Sequence, residues 1–459
     1  MDADIRWLYH YLEGASELDL NVSYHGLGSL FHPKFGTLVG DLTDEVRAHY
    51  DCAFASIGTS GTTISNKLMV QSALYDGDPA IIYRGCHGSI LGSLIELNIK
   101  PHYIPVKLDP DYAIPLPPSA EDLRRALVEC QGARAYIETE PNYFGRRGQV
   151  AEKAALCREW GAYYLADAAH GAHLRASNQL PRAIEDNRPH MITHSIHKTL
   201  GAQGQASLLL GFAPELEARM YEVMNTSPTN STSFSVPILL SVILALAELR
   251  QANAWRQAVE LAYELRSRLE LVPGCRVVQI ASHPPINAQD PTRVVVDIAE
   301  TGISGYRFAR LLAAANAPER HIAEMETQCQ IVFIITSATT SDAVDRLVRA
   351  FHRIVAEHGR LGQAIGTLAQ PETLPSVELT PRQAYMTRPR QRRKVPVAQA
   401  IGCVSAETIA TYPPGAPTIV AGECFRREDI EFLQAAQRSG ATLKGASSPR
   451  FEMVAIIDS

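Results

Sequence analysis

The stretch His194-Ser195-Ile196-His197-Lys198-Thr199-Leu200 brings two imidazoles, two hydroxyls and one amine into seven residues. It follows a polar linker and precedes the apolar run Ala206 to Leu210. An amine held among groups that favour its neutral form attacks carbonyl carbon and makes a Schiff base. Ser195 and His197 lie on either side of the lysine's approach and are the right types to hold a phosphate. Upstream lies Tyr164-Leu165-Ala166-Asp167-Ala168-Ala169-His170-Gly171, an apolar strand that ends in an acid, then a His and a Gly. Open α/β sheets bind ligands in the crevice beyond the carboxyl ends of their strands. Asp, then His, then Lys at this spacing fits a pyridoxal 5'-phosphate (PLP) site, the acid against the ring nitrogen and the lysine on the aldehyde carbon.

Working outward, other chemistry falls in similar places. Gly58-Thr59-Ser60-Gly61-Thr62-Thr63-Ile64-Ser65-Asn66-Lys67 precedes a helical-looking stretch, Leu68 to Leu74. Glycines let the backbone curl, hydroxyls donate, and a helix N-terminus faces whatever anion sits there. The loop is neither a Walker loop nor a dinucleotide fingerprint. Ala80-Ile81-Ile82-Tyr83 reads as a buried strand, followed by the loop Arg84-Gly85-Cys86-His87-Gly88-Ser89 and a helix over Ile90 to Leu97. His87 is placed so that its ring can lie over a planar cofactor. Ala135 to Thr139 is another strand, followed by Glu140-Pro141-Asn142-Tyr143-Phe144-Gly145 and a helix around Val150 to Trp160. Strands alternating with helices predict a mainly parallel sheet covered on both faces. Every candidate group then lies in a loop after a strand, at one edge of one sheet.

Composition sets limits on this reading. At 459 residues the chain is expected to hold more than one domain. Apolar content of 46% and charged content of 20% are those of a globular protein. A net charge of -6 gives no reason to expect nucleic acid or an anionic membrane as a partner. No apolar run reaches transmembrane length, and the acidic start Met1-Asp2-Ala3-Asp4 is unlike a signal peptide. The eight cysteines include no CxxC pair, which argues against a zinc site or a disulfide framework and for a cytoplasmic location.

Domain boundaries follow from breaks in the pattern. Residues 1–50 read as an N-terminal arm, 51–273 as the large cofactor-binding domain, 274–365 as a small α+β domain, and 366–459 as a linker and C-terminal domain. A single long helix is expected over Val236 to Leu271, strands at Arg293 to Asp297 and Ile331 to Ile335, and helices at Tyr306 to Asn316 and Ser341 to His358. The basic run Arg388 to Lys394 reads as a solvated linker.

Taken together, these motifs resemble the bacterial Orn/Lys/Arg decarboxylase family, PLP enzymes of fold type I (the aspartate aminotransferase fold). The matches run in order: Gly61-Thr62-Thr63 with Asn66-Lys67; Cys86-His87-Gly88-Ser89; Thr139 with Pro141, Tyr143 and Gly145; Asp167 with Ala169-His170-Gly171; and Ser195-x-His197-Lys198-Thr199-Leu200. Further on are Asp290-Pro291-Thr292, Gly302-Ile303-Ser304-Gly305-Tyr306, Tyr412-Pro413-Pro414-Gly415 and Gly422-Glu423. The likeness is to the shorter members, without an N-terminal wing domain.

The resemblance implies roles residue by residue. Lys198 carries the cofactor as an aldimine, Asp167 keeps the ring nitrogen protonated, His87 stacks on the ring and His170 sits near the ring hydroxyl. Gly61, Thr62, Thr63, Ser195 and His197 hold the phosphate. The family's chemistry removes the α-carboxylate of arginine, lysine or ornithine, in homodimers whose sites lie at the interface. Thr226-Ser227-Pro228 would then reach the neighbouring site. Four acids, Glu138, Glu140, Glu324 and Glu423, are candidates for the substrate's distal cation. The chain departs from the family pattern at Ala168, Gly88 and Gly204-Gln205, which keeps open another PLP reaction on the same scaffold: O2-dependent oxidation, transamination or elimination.

Overall fold

Seven short strands, most of them apolar, form the central sheet, and the lengths of their connections govern its topology. The computed structural model describes residues 33–226, 235–250, 252–279, 285–316, 318–368, 370–412 and 415–458. Most of the arm before Pro33, Ser227-Pro228 of the hydroxyl-rich loop, and Pro413-Pro414 lie outside the described residues. A first helix, α1 (Pro33–Tyr50), leads into β1 (Phe54–Gly58) and α2 (Thr62–Ala73). Then follow β2 (Pro79–Tyr83), α3 (Gly88–Glu96), β3 (Lys100–Ile104), α4 (Ala120–Glu129), β4 (Ala135–Thr139), α5 (Val150–Glu159) and β5 (Tyr163–Asp167). The sheet is completed by β6 (Met191–His194) and β7 (Ser207–Gly211).

Strand order across the sheet is β1-β7-β6-β5-β4-β2-β3. β2, β3, β4, β5 and β6 pair parallel, as parallel strands with long crossovers must. β7 is the exception and runs antiparallel to both β6 and β1. The connection from β6 to β7 holds one helical turn, Ile196–Thr199, and turns back on the same edge rather than crossing the sheet. That reversal matters for the site. It leaves the carboxyl ends of β1, β2, β4, β5 and β6 on the same edge as the amino end of β7. Residues of β4 and β7 are buried throughout, as strands covered on both faces require.

Two segments differ from the expectation. β6 lies inside what the sequence presents as a polar linker, because Met191 and Ile192 are its only apolar residues. The long helix over Val236 to Leu271 is two helices, α6 (Val236–Leu249) and α7 (Ala252–Leu269).

Beyond them, Arg276–Val277, Arg293–Asp297, Gln330–Ile334 and Met325–Glu326 form a four-stranded antiparallel sheet. Helices Gly305–Ala314 and Ser341–His358 accompany it. Ser341–His358 starts where predicted because the Thr340 hydroxyl accepts the Ala343 N–H and caps it. The C-terminal part holds two three-stranded sheets and the helix Arg427–Ser439 around a core of its own. The second half of the basic run is not a linker: Arg392–Pro396 is a strand paired along Met453–Ile457, and Arg393 forms an ion pair with Asp458.

Candidate active site

At the shared strand edge lies a cleft of about 720 Å³, lined by Gly61, Thr62, Thr63, Asn66, His87, Thr139, Tyr143, Asp167, Ala169, His170, Ser195, His197, Lys198 and Gln205, with Ser60. The structure therefore gathers into one cavity all nine residues singled out from the sequence as catalytic or cofactor-binding. Gly61, with φ +82°, opens α2, and no side chain caps that N-terminus. The Thr62 and Thr63 N–H groups of its first turn are thus available to an anion, while that of Ile64 donates to the Gly61 carbonyl. The Thr62 and Ser195 hydroxyls are hydrogen-bonded to each other across the same corner. His197 Nδ1–H donates to the Ala206 carbonyl at 2.8 Å. With Nδ1–H used there, Nε2 is the ring nitrogen left to interact with a bound group.

Asp167 ends β5 with 1% of its surface exposed. Its Oδ1 accepts the Ala169 N–H at 3.1 Å, and its Oδ2 accepts Asn66 Nδ2 at 2.9 Å. Asn66 is itself fixed: Nδ2 also donates to Ser89 Oγ at 2.9 Å, and Oδ1 accepts the Thr193 hydroxyl at 2.6 Å. Among the described residues no lysine, arginine or histidine forms an ion pair with Asp167. A buried carboxylate held by neutral donors and facing a cavity is matched to a cationic ring N–H.

Burial favours the neutral form of the His87 and His170 imidazoles. His87 Nδ1 accepts the Ser89 N–H at 3.2 Å and so caps α3. Burial lowers its pKa against the pull of Asp167, and Lys198 and Lys444 lower it further. His170 lies well below the ordinary histidine range, chiefly through burial and then through Lys198 and Arg293. Its Nε2 is 3.3 Å from Lys198 Nζ, and its ring centroid is 4.5 Å from that of Tyr143. Lys198 is lowered too: burial leads, Arg293 adds to it, and Asp167 and Glu324 oppose it. The amine therefore loses its proton at lower pH than a free lysine does.

The acids left open by sequence separate clearly. Glu138 sits with Lys153 in a fully buried cluster, 2.7 Å from Oε2 to Nζ, and accepts from Tyr136 and Tyr164. Glu140 accepts the Gly148 N–H at 3.0 Å beside the same lysine. Glu423 pairs with Arg84 through two bonds of 2.8 and 2.6 Å. Glu324 alone of the four is exposed, and its charge acts on Lys198, Arg293 and Tyr143. Of the positions that depart from the family pattern, Gln205 lines the cleft, while Ala168, Gly88 and Gly204 are not part of its wall. Asn66, Tyr143 and Arg293 are the contributors for which sequence gave no role.

Residues 3–309 match the Orn/Lys/Arg decarboxylase major domain, and residues 367–448 match the C-terminal domain of the same family. The chain belongs to the Orn/Lys/Arg decarboxylase family. It is 27% identical over 458 residues to an arginine decarboxylase of Bacillus subtilis, covering 97% of this chain and 90% of that protein. Its fold is similar to that of the Francisella novicida lysine decarboxylase, with a TM-score of 0.76 and 20% identity, covering 97% of this chain and 74% of that one. A Nostoc alanine–glyoxylate aminotransferase shares the fold at a TM-score of 0.56 and 16% identity, over 71% of this chain and 89% of its own. The architecture is fold type I, and as a family member the protein is an enzyme.

Proposed function

We propose that this family member is a PLP-dependent decarboxylase of a basic amino acid, with arginine as the first substrate to test. The observation that carries the reading is the cleft itself, where an amine of lowered pKa, a buried carboxylate without a cation, and an uncapped helix N-terminus meet at one sheet edge. The likeness to arginine decarboxylases of Bacillus favours arginine over lysine and ornithine. When bound, PLP supplies an aldehyde for condensation with amines and a ring that accepts the electron pair left as CO2 departs.

The chain's own groups do the rest. Lys198, whose amine is shifted toward the neutral form, would hold the cofactor covalently. Asp167 holds a proton on the ring nitrogen, and Asn66 orients that carboxylate. Gly61, Thr62, Thr63, Ser195 and His197 bind phosphate oxygens, with α2 adding its dipole. His87 covers one side of the cleft, and Tyr143 and His170 line it; together they keep water from the reacting carbon. Glu324 is the acid left to meet a distal guanidinium.

A homodimer is favoured by α6, a strongly apolar helix that leaves Leu244 53% exposed. All eight cysteines are free, in keeping with a reducing cytoplasm. No described helix is long and apolar enough to cross a membrane.

The test is mass analysis of products from arginine, lysine and ornithine, with oxygen uptake monitored. The expected result is the amine one carboxyl lighter, formed fastest from arginine and without O2 consumption. Glu324→Gln should raise KM for arginine about tenfold while changing kcat less, as loss of a charge-assisted bond of ~1.5 kcal/mol predicts. A keto acid or aldehyde formed with stoichiometric O2 uptake overturns the reading.

A further inference from the structure

Arg293 begins a strand of the small sheet, yet its guanidinium is fully buried beside the cleft. Nη2 donates to His170 Nδ1 at 3.1 Å and approaches the His170 carbonyl at 3.4 Å. Nε is 3.9 Å from Asp290 Oδ2, and Nε and Nη1 have no hydrogen-bond partner among the described residues. A buried cation so thinly paired costs stability rather than adding to it, so packing alone does not account for it. The backbone makes room for it at Gly145, where φ is +78° and an added Cβ would lie 2.6 Å from Arg293 Cγ.

We infer that Arg293 is a positioning residue that fixes the tautomer of His170 and, through it, the protonation of Lys198. A guanidinium only donates. His170 Nδ1 must therefore be the bare nitrogen, and in the neutral ring the proton sits on Nε2. That N–H points at Lys198 Nζ, 3.3 Å away. An ammonium has no lone pair to accept it, whereas the neutral amine does. The opposite tautomer would set N–H against N–H at Arg293, and the imidazolium would set a cation between two others. The relay therefore favours the nucleophilic amine by a hydrogen bond, over and above the effect of burial and of Arg293's own charge. Asp167 and Glu324 act on Lys198 in the opposite sense, and His87 and His173, when protonated, lower His170 further.

The inference takes Lys198 as the reactive amine, which the function proposal also requires. It is read in the full-length chain without cofactor, so it stands or falls apart from any assay of turnover. Competitive labelling with acetic anhydride across pH, followed by peptide mass spectrometry, gives the inflection for Lys198. Arg293→Leu should move that inflection up by about one unit, roughly tenfold less neutral amine at a fixed pH below it. Arg293→Lys, which keeps a donor, should restore it. In a His170→Gln background, whose amide N–H donates without a tautomer to choose, Arg293→Leu should shift it by less than half as much. An equal shift in both backgrounds would mean that Arg293 acts by charge alone and would overturn the relay, as would no shift in the His170 protein. Should Arg293→Leu not fold, Arg293→Met, which likewise lacks a donor, replaces it in the same cycle with the same two outcomes.

Discussion

Asp167→Asn is expected to lower turnover by about 10²–10³-fold, the usual loss when one preorganised electrostatic partner is removed from a reacting centre. The substitution is nearly isosteric. The remaining oxygen can still accept the Ala169 N–H, so the fold and the covalent attachment of cofactor should survive. What disappears is the anion that holds a proton on the ring nitrogen. In its place an amide N–H faces Asn66 Nδ2, which now donates to Asp167. Turnover by stopped assay, with bound cofactor quantified by absorbance, separates the two effects. Turnover within threefold of wild type at full cofactor content would mean that another group protonates the ring.

The second large effect is on stability. Arg84 leaves β2 and, within the first turn after it, reaches into the C-terminal part of the chain. It donates to both oxygens of Glu423 and to the carbonyls of Pro417 (3.0 Å) and Thr418 (3.2 Å). The two side chains are 4% and 1% exposed. Burial lifts the Glu423 pKa even with Arg84 beside it. Removing one partner strands the other charge in the interior, which costs about 3–5 kcal/mol. Arg84→Leu should therefore lower the denaturation midpoint markedly, whereas Arg84→Leu with Glu423→Leu should recover most of the loss. The pair also anchors the loop that carries His87, so the single variant should lose activity before it unfolds. A single-variant loss under 0.5 kcal/mol would place the pair among weak surface bridges.

The sequence carried the fold where local pattern and tertiary role coincide. Apolar runs at Ala80 to Tyr83, Ala135 to Thr139 and Tyr164 to Asp167 are strands because each is buried on both faces, and each ends in a polar residue at the binding edge. β6 escaped notice because four residues with two apolar side chains carry no periodicity, and pairing with β5 and β7 is what makes them a strand. The direction of β7 was equally hidden, since its composition is that of any buried strand and its orientation depends on the turn after Lys198. Lys198, Asp167, His87 and His170, whose chemistry is their own, could be picked out from the sequence, and the structure brings them into one cleft. Asn66 and Arg293 could not, because their importance lies in what they hold. Asn66 sits within an ordinary helix on the turn below Asp167, and Arg293 looks like the first residue of a β-branched strand. Separating Glu324 from Glu138, Glu140 and Glu423 likewise required knowing which acids already had partners.

In the proposed function Lys198 is the residue that forms the covalent bond to the cofactor. Lys67, the other lysine in the sequence motifs, is tied to Glu96 on the flank of α2 and is not part of the cleft wall. Lys153 is fully buried against Glu138. Incubation with PLP, reduction with borohydride, digestion and peptide mass spectrometry should therefore find a single pyridoxyl group on Lys198, with none on a Lys198→Ala protein. A label on Lys67 or Lys153, or undiminished labelling after Lys198→Ala, would contradict the account.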